Sequence, residues 1–319
     1  MKTILYLGLL FVFLPSLISC KKKVKDDGWD DTFTSGLIRI ACDEHFEALM
    51  EAELSVFEAL NPGATVVPIY TDEREAIRLL TDDSVRFALV TRGLNPSERK
   101  ALNDRAMKAE KHLIAFDGVA LIIHPANKDS LISLSVLQKI LTGKITEWSQ
   151  VNRASPLGVI RVLFDNRKSA VLRYAVDSIA RGDTLSPNLY ALNDYMEVIE
   201  KVRQMPNAIG LIGFSALSEE ETPTHLDLPD KIRLMRISKE DPATVENSYL
   251  PYAGDLMQEN YPLWRPVYVL LSDPKSGLSS RLSVFLAQEI GQKIILKSGL
   301  LPITDPQNMS VAIKDEYPN

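Results

Sequence analysis

The sequence predicts an α/β fold, and three observations support this prediction. Short apolar segments of strand length alternate along the chain with longer segments whose apolar residues recur at helical spacing. This alternation is typical of a mainly parallel sheet flanked by helices. The chain of 319 residues is 45% hydrophobic and 24% charged, which provides enough core for one large or two medium domains.

The predicted helices follow the apolar spacing and its stop signals. Apolar residues three and four positions apart predict a helix over 44–60, and Asn61-Pro62-Gly63 ends it. Asn95-Pro96-Ser97-Glu98 opens another. Helices are predicted in all at 44–60, 71–83, 95–108, 134–141, 169–180, 194–203 and 278–297.

The predicted strands are short apolar runs between these helices, such as Leu37-Ile38-Arg39-Ile40-Ala41. They lie at 37–41, 65–70, 87–91, 112–115, 119–124, 160–164, 208–211, 232–237 and 266–271. Residues 219–230 are acidic and contain proline, and are predicted to form a loop.

Composition excludes several classes of function. The formal net charge of −6 argues against a nucleic-acid partner, because phosphates require a basic face. The two cysteines, Cys20 and Cys42, are too few for a disulfide scaffold or a four-cysteine zinc site. The four histidines stand far apart in the sequence and form no His-x-x-x-His pair. We therefore predict neither a metal nor a cofactor.

The N-terminus is predicted to be a secretory signal. Lys2 precedes an apolar run that is too short to span a bilayer comfortably and that Pro15 interrupts. Leu17-Ile18-Ser19-Cys20 resembles a bacterial lipobox, which implies a signal peptide over 1–19 and a lipidated Cys20. A plain signal peptide with a chance cysteine, or a membrane anchor, remains the alternative.

Residues 20–36 are predicted to form a lipidated tether, because they are polar, charged and aperiodic. Lys25-Asp26-Asp27 loosely resembles signals that send some lipoproteins to the outer surface, and a simple spacer is the other interpretation. The expected location is the cell envelope, either periplasmic or on the outer surface, with the lipid as the only membrane contact.

Four motifs in order carry a resemblance to a known family. The first joins Asp117-Gly118 to Thr142-Gly143-Lys144-Ile145 and Trp148. The others are Asn207 to Ser215 (NAIGLIGFS), Tyr261 to Pro266 (YPLWRP), and Gly291-Gln292 with Lys297 to Pro302 (KSGLLP). Over roughly 37–303, the chain resembles the phosphate-binding proteins of bacterial ABC importers.

The resemblance implies a type II periplasmic-binding-protein fold. Each of its two lobes is a mixed sheet flanked by helices. Lobe I would combine 37–122 with 254–319, and lobe II would span 123–253. Two crossovers near 119–125 and 252–266 would join the lobes, so that they can close on a ligand.

The resemblance also implies the function. A solute-binding protein of this kind captures a small oxyanion, foremost inorganic phosphate, in the cleft between its lobes and delivers it to an ABC permease. A monomer and no enzymatic activity are expected. The alternative is a surface scaffold or adhesion lipoprotein that kept the fold and lost phosphate binding.

Four loops would supply the ligand contacts, because helix starts, hydroxyl groups and a guanidinium favour a bound anion. In the first loop, His45 aligns with a ligand threonine, although Asp43 and Glu44 would repel phosphate. In the second loop, Thr71 is the candidate. A capping histidine and a helix cap are the respective alternatives.

The third and fourth loops provide the other candidates. Thr91 and Arg92 resemble a Ser-Arg strand end, at the edge of the sheet where open α/β folds bind ligands. An ordinary surface charge is the alternative for Arg92. The fourth loop is predicted to bind the ligand through Asp165, Asn166, Arg167, Lys168 and Ser169, unless it is a solvated loop.

Overall fold

The computed structural model describes residues 31–217 and 232–304, which contain thirteen strands and ten helices. The strands are β1 (Ser35–Asp43), β2 (Gly63–Thr71), β3 (Phe87–Val90), β4 (Glu110–Ile123), β5 (Leu131–Ser133), β6 (Arg161–Phe164), β7 (Leu189–Ala191), β8 (Ala208–Gly213), β9 (Arg233–Leu234), β10 (Arg236–Ser238), β11 (Ser248–Tyr249), β12 (Trp264–Leu271) and β13 (Leu301–Pro302). The helices are α1 (Glu47–Leu60), α2 (Glu73–Thr81), α3 (Pro96–Asp104), α4 (Leu134–Leu141), α5 (Trp148–Val151), α6 (Ala170–Tyr174), α7 (Tyr195–Gln204), α8 (Ala253–Met257), α9 (Leu278–Ala287) and α10 (Glu289–Lys297). A π-helical turn, Ala175–Ala180, extends α6.

Eight strands follow one hydrogen-bonded path in the order β2-β1-β3-β12-β4-β8-β6-β7. The pairs at both ends of this path are parallel, namely β1 with β2 and β3, and β6 with β7 and β8. The middle pairs are antiparallel, because β12 pairs with β3 and β4, and β4 pairs with β8. The sheet is therefore mixed, and the expectation of a mainly parallel sheet was wrong for its centre.

Strand β4 is shared by the two parts of the sheet. Its residues as far as Gly118 pair with β12, and its residues from Val119 onward pair with β8. The sequence predicted two strands here, separated at Phe116-Asp117-Gly118. These three residues instead stay in the ladder opposite β12. Gly118 permits a close approach: a Cβ atom there would lie 2.5 Å from the Cβ atom of Pro251.

Each part of the sheet has its own hydrophobic core, which makes the fold two-lobed. In the first lobe, β1, β3 and β12 pack against α1 and α9 through side chains such as Phe57 and Phe285. In the second lobe, the end of β4 packs with β6, β8, α4 and α6 around Trp148. The predicted lobe boundaries at 122/123 and 253/254 stay a prediction.

The helix predicted over 278–297 is broken into α9 and α10. Gln288 between them has extended backbone angles, with φ −84° and ψ 168°. Apolar spacing alone cannot reveal such a break, because both helices turn apolar residues toward the same core. Gly291 allows the two helices to approach, since a Cβ atom there would lie 2.5 Å from the carbonyl oxygen of Phe285.

The start of the fold is earlier than predicted. Strand β1 begins at Ser35, inside the segment predicted as a tether, and the Asp31 carboxylate accepts a 2.6 Å hydrogen bond from the backbone N–H of Leu278. The predicted signal peptide, Cys20 and the loop 219–230 lie outside the described residues. No described helix combines the length and apolar character needed to cross a bilayer.

Glu53 is a buried carboxyl group in the first core, and its substitution should stabilise the protein. It lies on α1 without any exposed surface, and neither carboxyl oxygen has a hydrogen-bond partner among the described residues. Burial raises its pKa from 4.5 to about 9. The folded chain therefore keeps a proton that the unfolded chain releases, and the free energy of unfolding should fall as pH rises between these values.

Glu53→Met should raise the free energy of unfolding at about pH 8 by about 2–4 kcal/mol, because it removes this cost. Glu53→Gln should reduce the decrease in the free energy of unfolding as pH rises. Urea denaturation from about pH 5 to about pH 9 measures both effects. Glu47→Gln, on the exposed face of the same helix, is the control. If Glu53→Gln and the unaltered protein show the same dependence of stability on pH, Glu53 does not have a raised pKa in the folded chain.

Candidate functional site

A cleft of about 860 Å³ lies between α2 and α3 of the first lobe and residues 167–177 of the second. Ten charged side chains line it, namely the cations Arg74, Arg78, Arg92, Arg167, Lys168 and Arg173 and the carboxylates Glu73, Glu75, Glu98 and Asp177. Because the cations outnumber the carboxylates, the potential in the cleft favours an anion.

Glu73 is the most buried charged group in this cleft, with 2% of its surface exposed. It is the first residue of α2 and directly follows the helix cap Asp72. Its Oε1 atom accepts hydrogen bonds from the Thr91 backbone N–H at 2.7 Å and from the Thr91 hydroxyl at 2.6 Å. The Nε atom of Arg173 donates to Glu73 Oε2 at 2.8 Å. Donors from both lobes therefore hold the Glu73 carboxylate.

Thr91 and Arg92 follow β3 at the edge of the sheet that the sequence predicted. Thr91 is buried against Glu73, whereas the Arg92 guanidinium donates to both carboxylate oxygens of Glu98, at 2.7 and 2.9 Å. Burial opposes ionisation of Glu98, but the Arg92 bonds hold the pKa of Glu98 below its ordinary value. The Arg92 Nε atom lies 3.5 Å from Glu73 Oε2. Both predicted residues are at the cleft, and both already contact carboxylates.

Arg173 is a cleft residue that the sequence reasoning missed. It lies on α6 and reaches across the cleft to Glu73, and its Nη2 atom also donates to the Thr91 hydroxyl oxygen at 2.8 Å. Its position four residues after Ser169 puts it on the same helix face as the predicted loop. This four-residue spacing is the feature of the sequence that could have identified Arg173 as a cleft residue.

The fourth predicted loop contributes to the cleft unevenly. The Ser169 hydroxyl caps α6 by accepting from the Leu172 N–H at 2.9 Å. Arg167 and Lys168 are exposed and line the cleft. Within the described part of the chain, neither has a salt-bridge partner within 4.0 Å. Asn166 instead donates to Glu44 Oε1 at 3.2 Å, which connects the fourth loop to the first.

His45 and Asp165 meet in a separate, buried cluster. The His45 Nδ1 atom lies 2.8 Å from Asp43 Oδ1, and its Nε2 atom lies 3.3 Å from Asp165 Oδ2. All three side chains are almost completely buried. Asp43 also caps the short turn that begins α1, because its Oδ1 atom accepts from the His45 backbone N–H. The histidine therefore has carboxylates at both ring nitrogens.

The charges of this cluster follow from burial and from mutual attraction. Burial would lower the pKa of His45, but Asp43 and then Asp165 raise it above its ordinary value. Burial would raise the pKa of Asp43, but the His45 ring lowers it. For Asp165, burial outweighs His45 and raises the pKa. Burial also raises the pKa of Glu44 to about 7.

Asp117 and Arg265 form a second buried pair beside this cluster. They are directly opposed in the β4–β12 ladder, and Arg265 Nη2 donates to Asp117 Oδ2 at 2.9 Å. The guanidinium lies over the Phe46 ring, 5.6 Å from its centroid. It also passes close to Gly213, where a Cβ atom would lie 2.5 Å from Arg265 Nη2. Both residues belong to motifs that carry the family resemblance, Asp117-Gly118 and Tyr261 to Pro266.

The predicted site residues therefore fall into three places. Thr91, Arg92, Arg167, Lys168 and Ser169 line or border the cleft. His45 and Asp165 belong to the buried cluster, with Asn166 at its edge. Thr71 ends β2 and does not line the cleft. Among the described residues, no group of three or more His, Cys, Asp or Glu side chains is arranged to hold a metal ion.

The architecture and a polar cleft between lobes define the class of protein. Residues 30–287 match the family model of the PBP superfamily domain, so the chain belongs to this family. The phosphate-binding protein PstS of Bacillus subtilis strain 168 is 21% identical over 297 residues, which cover 89% of this chain and 87% of that protein. The predicted family resemblance is confirmed.

Solved structures confirm the fold. One from Clostridium perfringens, described as a phosphate ABC transporter substrate-binding protein with bound phosphate, has a TM-score of 0.69 and 20% identity, and the match covers 84% of this chain and 100% of that chain. An ABC-type phosphate transport receptor from Vibrio cholerae has a TM-score of 0.60 and 20% identity, with 83% and 99% covered. The two-lobed type II fold is therefore as predicted.

The buried His45 should make stability depend on pH in a defined direction. Its pKa in the folded chain lies above the ordinary value of 6.5, so its contribution is complete below about pH 6.5 and is lost as pH rises through the raised pKa. The lowered pKa of Asp43 preserves the pair until the pH falls below about 3.8. The pair is therefore strongest between these values.

His45→Gln should lower the free energy of unfolding by about 2–4 kcal/mol at about pH 5.5, and by less at about pH 9. Urea denaturation of both proteins at the two pH values gives this difference. His112→Gln, which alters an exposed histidine on β4, should change little at either pH. A loss that stays constant or grows with pH would contradict an ionic role for His45.

Proposed function

We propose that this chain is an extracytoplasmic solute-binding protein that captures a small oxyanion, foremost inorganic phosphate, for an ABC importer. The observation that carries the proposal is the excess of cations at the cleft, where Arg167 and Lys168 have no salt-bridge partner among the described residues. The names of its relatives support phosphate as the first solute to test. No enzymatic step is part of this proposal.

The cleft has the groups that an oxyanion requires. The guanidinium group of Arg167 can donate two parallel hydrogen bonds to an oxyanion, and the Lys168 ammonium adds a compact positive charge. Both belong to the second lobe, whereas Thr91 and Arg92 belong to the first. An anion between them would attract both lobes, which favours closure around the solute.

The location and assembly complete the proposal. Cys20 would carry the lipid, with residues 1–19 removed as a signal peptide, and the mature protein would lie in the periplasm or on the outer surface. The protein would act as a monomer that touches the membrane only through its lipid and docks on the permease.

Cys20→Ser should release the protein from the membrane fraction of expressing cells, whereas Cys42→Ser should not. Retention of Cys20→Ser in membranes would contradict the anchor.

The scaffold alternative gains one argument from the structure. Thr91 and Arg173 are already bonded to the Glu73 carboxylate, and Arg92 is bonded to Glu98. A cleft whose donors are all satisfied internally would have lost its solute. Arg167 and Lys168 count against this interpretation, and direct titration separates the two.

Calorimetric titration with inorganic phosphate should show binding to the full chain. The double variant Arg167→Ala/Lys168→Ala should bind about tenfold or more weakly, because it removes two cations from the cleft. Binding should also weaken as salt is raised, and phosphate should increase the melting temperature by mass action.

Lys144→Ala is the matched control, because Lys144 forms its ion pair with Asp183 and does not line the cleft. It should bind phosphate as the unaltered protein does. If neither phosphate nor sulfate produces heat or a shift in melting temperature, the oxyanion proposal fails and the scaffold alternative stands. Equal binding by the double variant would place the solute elsewhere.

A further inference from the structure

The Glu73 carboxylate has the surroundings of a bound oxyanion. Its Oε1 atom accepts from the backbone N–H and the hydroxyl of Thr91, and the Arg173 guanidinium donates to both of its oxygens, at 2.8 and 3.3 Å. Arg92 adds a third cationic contact at 3.5 Å. A backbone amide, a hydroxyl and guanidinium groups are the donors that hold free carboxylates and phosphates.

The position of Glu73 on its helix explains why an acid is stable there. It is the first residue of α2, where a negative charge interacts favourably with the unpaired N–H groups of the first turn. Its flexible side chain then reaches the end of β3. The Glu73 carboxylate therefore lies beside the Thr91 donors of the first lobe, and it contacts Arg173 of the second lobe.

We propose that Glu73 determines the specificity of the cleft as a tethered anion, which a solute displaces in order to bind Thr91 and Arg173. This inference rests on the proposed function, because it concerns the same cleft. A monocarboxylate solute carries no more charge than the Glu73 carboxylate that it displaces, so the exchange provides little binding free energy. A dianionic oxyanion brings more charge to the same donors and to Arg167 and Lys168, so it can displace the carboxylate.

Removal of the Glu73 carboxylate should make its donors, on Thr91 and Arg173, available to a solute. In Glu73→Ala, phosphate should bind about tenfold or more tightly than to the unaltered protein, because no internal anion competes. Acetate should not bind the unaltered protein measurably, but it should bind the variant by replacing the missing carboxylate. Calorimetry and thermal shift with phosphate and with acetate measure both effects.

Two further variants control the experiment. Glu73→Gln keeps the size and a hydrogen-bond acceptor, so it should fold and give a smaller gain in the same direction. If Glu73→Ala does not fold, Glu73→Gln decides. Glu289→Gln removes a carboxylate on α10 that bonds to Lys293 and does not line the cleft, and it should change phosphate binding by less than about twofold.

The outcomes separate this inference from the proposed function. If the unaltered protein binds phosphate and Glu73→Ala binds it equally or more weakly, the tethered-anion role is wrong and the proposed function stands. If the unaltered protein does not bind phosphate and Glu73→Ala binds phosphate or acetate, the role is supported and phosphate capture fails. If no variant binds either anion, both are wrong.

Discussion

The buried pair of Asp117 and Arg265 is the interaction on which the junction of the lobes depends. The two side chains face each other across β4 and β12, at the point where β4 leaves one lobe for the other. Burying a charge without its partner is costly, so each residue requires the other. Gly213 leaves room for the guanidinium, and the ring of Phe46 covers it. The pair therefore holds β4 to β12 at the point from which the two lobes extend.

Charge compensation is repeated at two further places where the lobes meet. His45 lies between Asp43 and Asp165, and Glu73 is held by Arg173 together with Thr91. Each group brings residues of the two lobes into contact through opposite charges. The low polarity around these groups strengthens the attraction and makes an unpaired member costly. The protein's own side chains thus arrange an ordered set of charges where the lobes meet.

The α/β class could be predicted from apolar spacing, and the two-lobed fold from the family resemblance that the ordered motifs carry. The central antiparallel strands and the break at Gln288 could not, because strand direction and a change of helix axis leave the apolar pattern unaltered. Thr91 and Arg92 could be placed at the cleft, since they follow a buried strand. The contact of Thr91 with Glu73 could not, because the two residues are 18 positions apart and meet only through the tertiary fold.

The bond between Arg173 and Glu73 has a consequence for the balance between open and closed arrangements of the two lobes. It joins the second lobe to the first through the protein's own side chains, so the arrangement in the structure already has a favourable contact across the cleft. A ligand can shift an equilibrium between two shapes only by the difference in its affinity for them. A solute that replaces one cross-cleft contact with another changes this equilibrium less than a solute that bridges an otherwise unconnected gap.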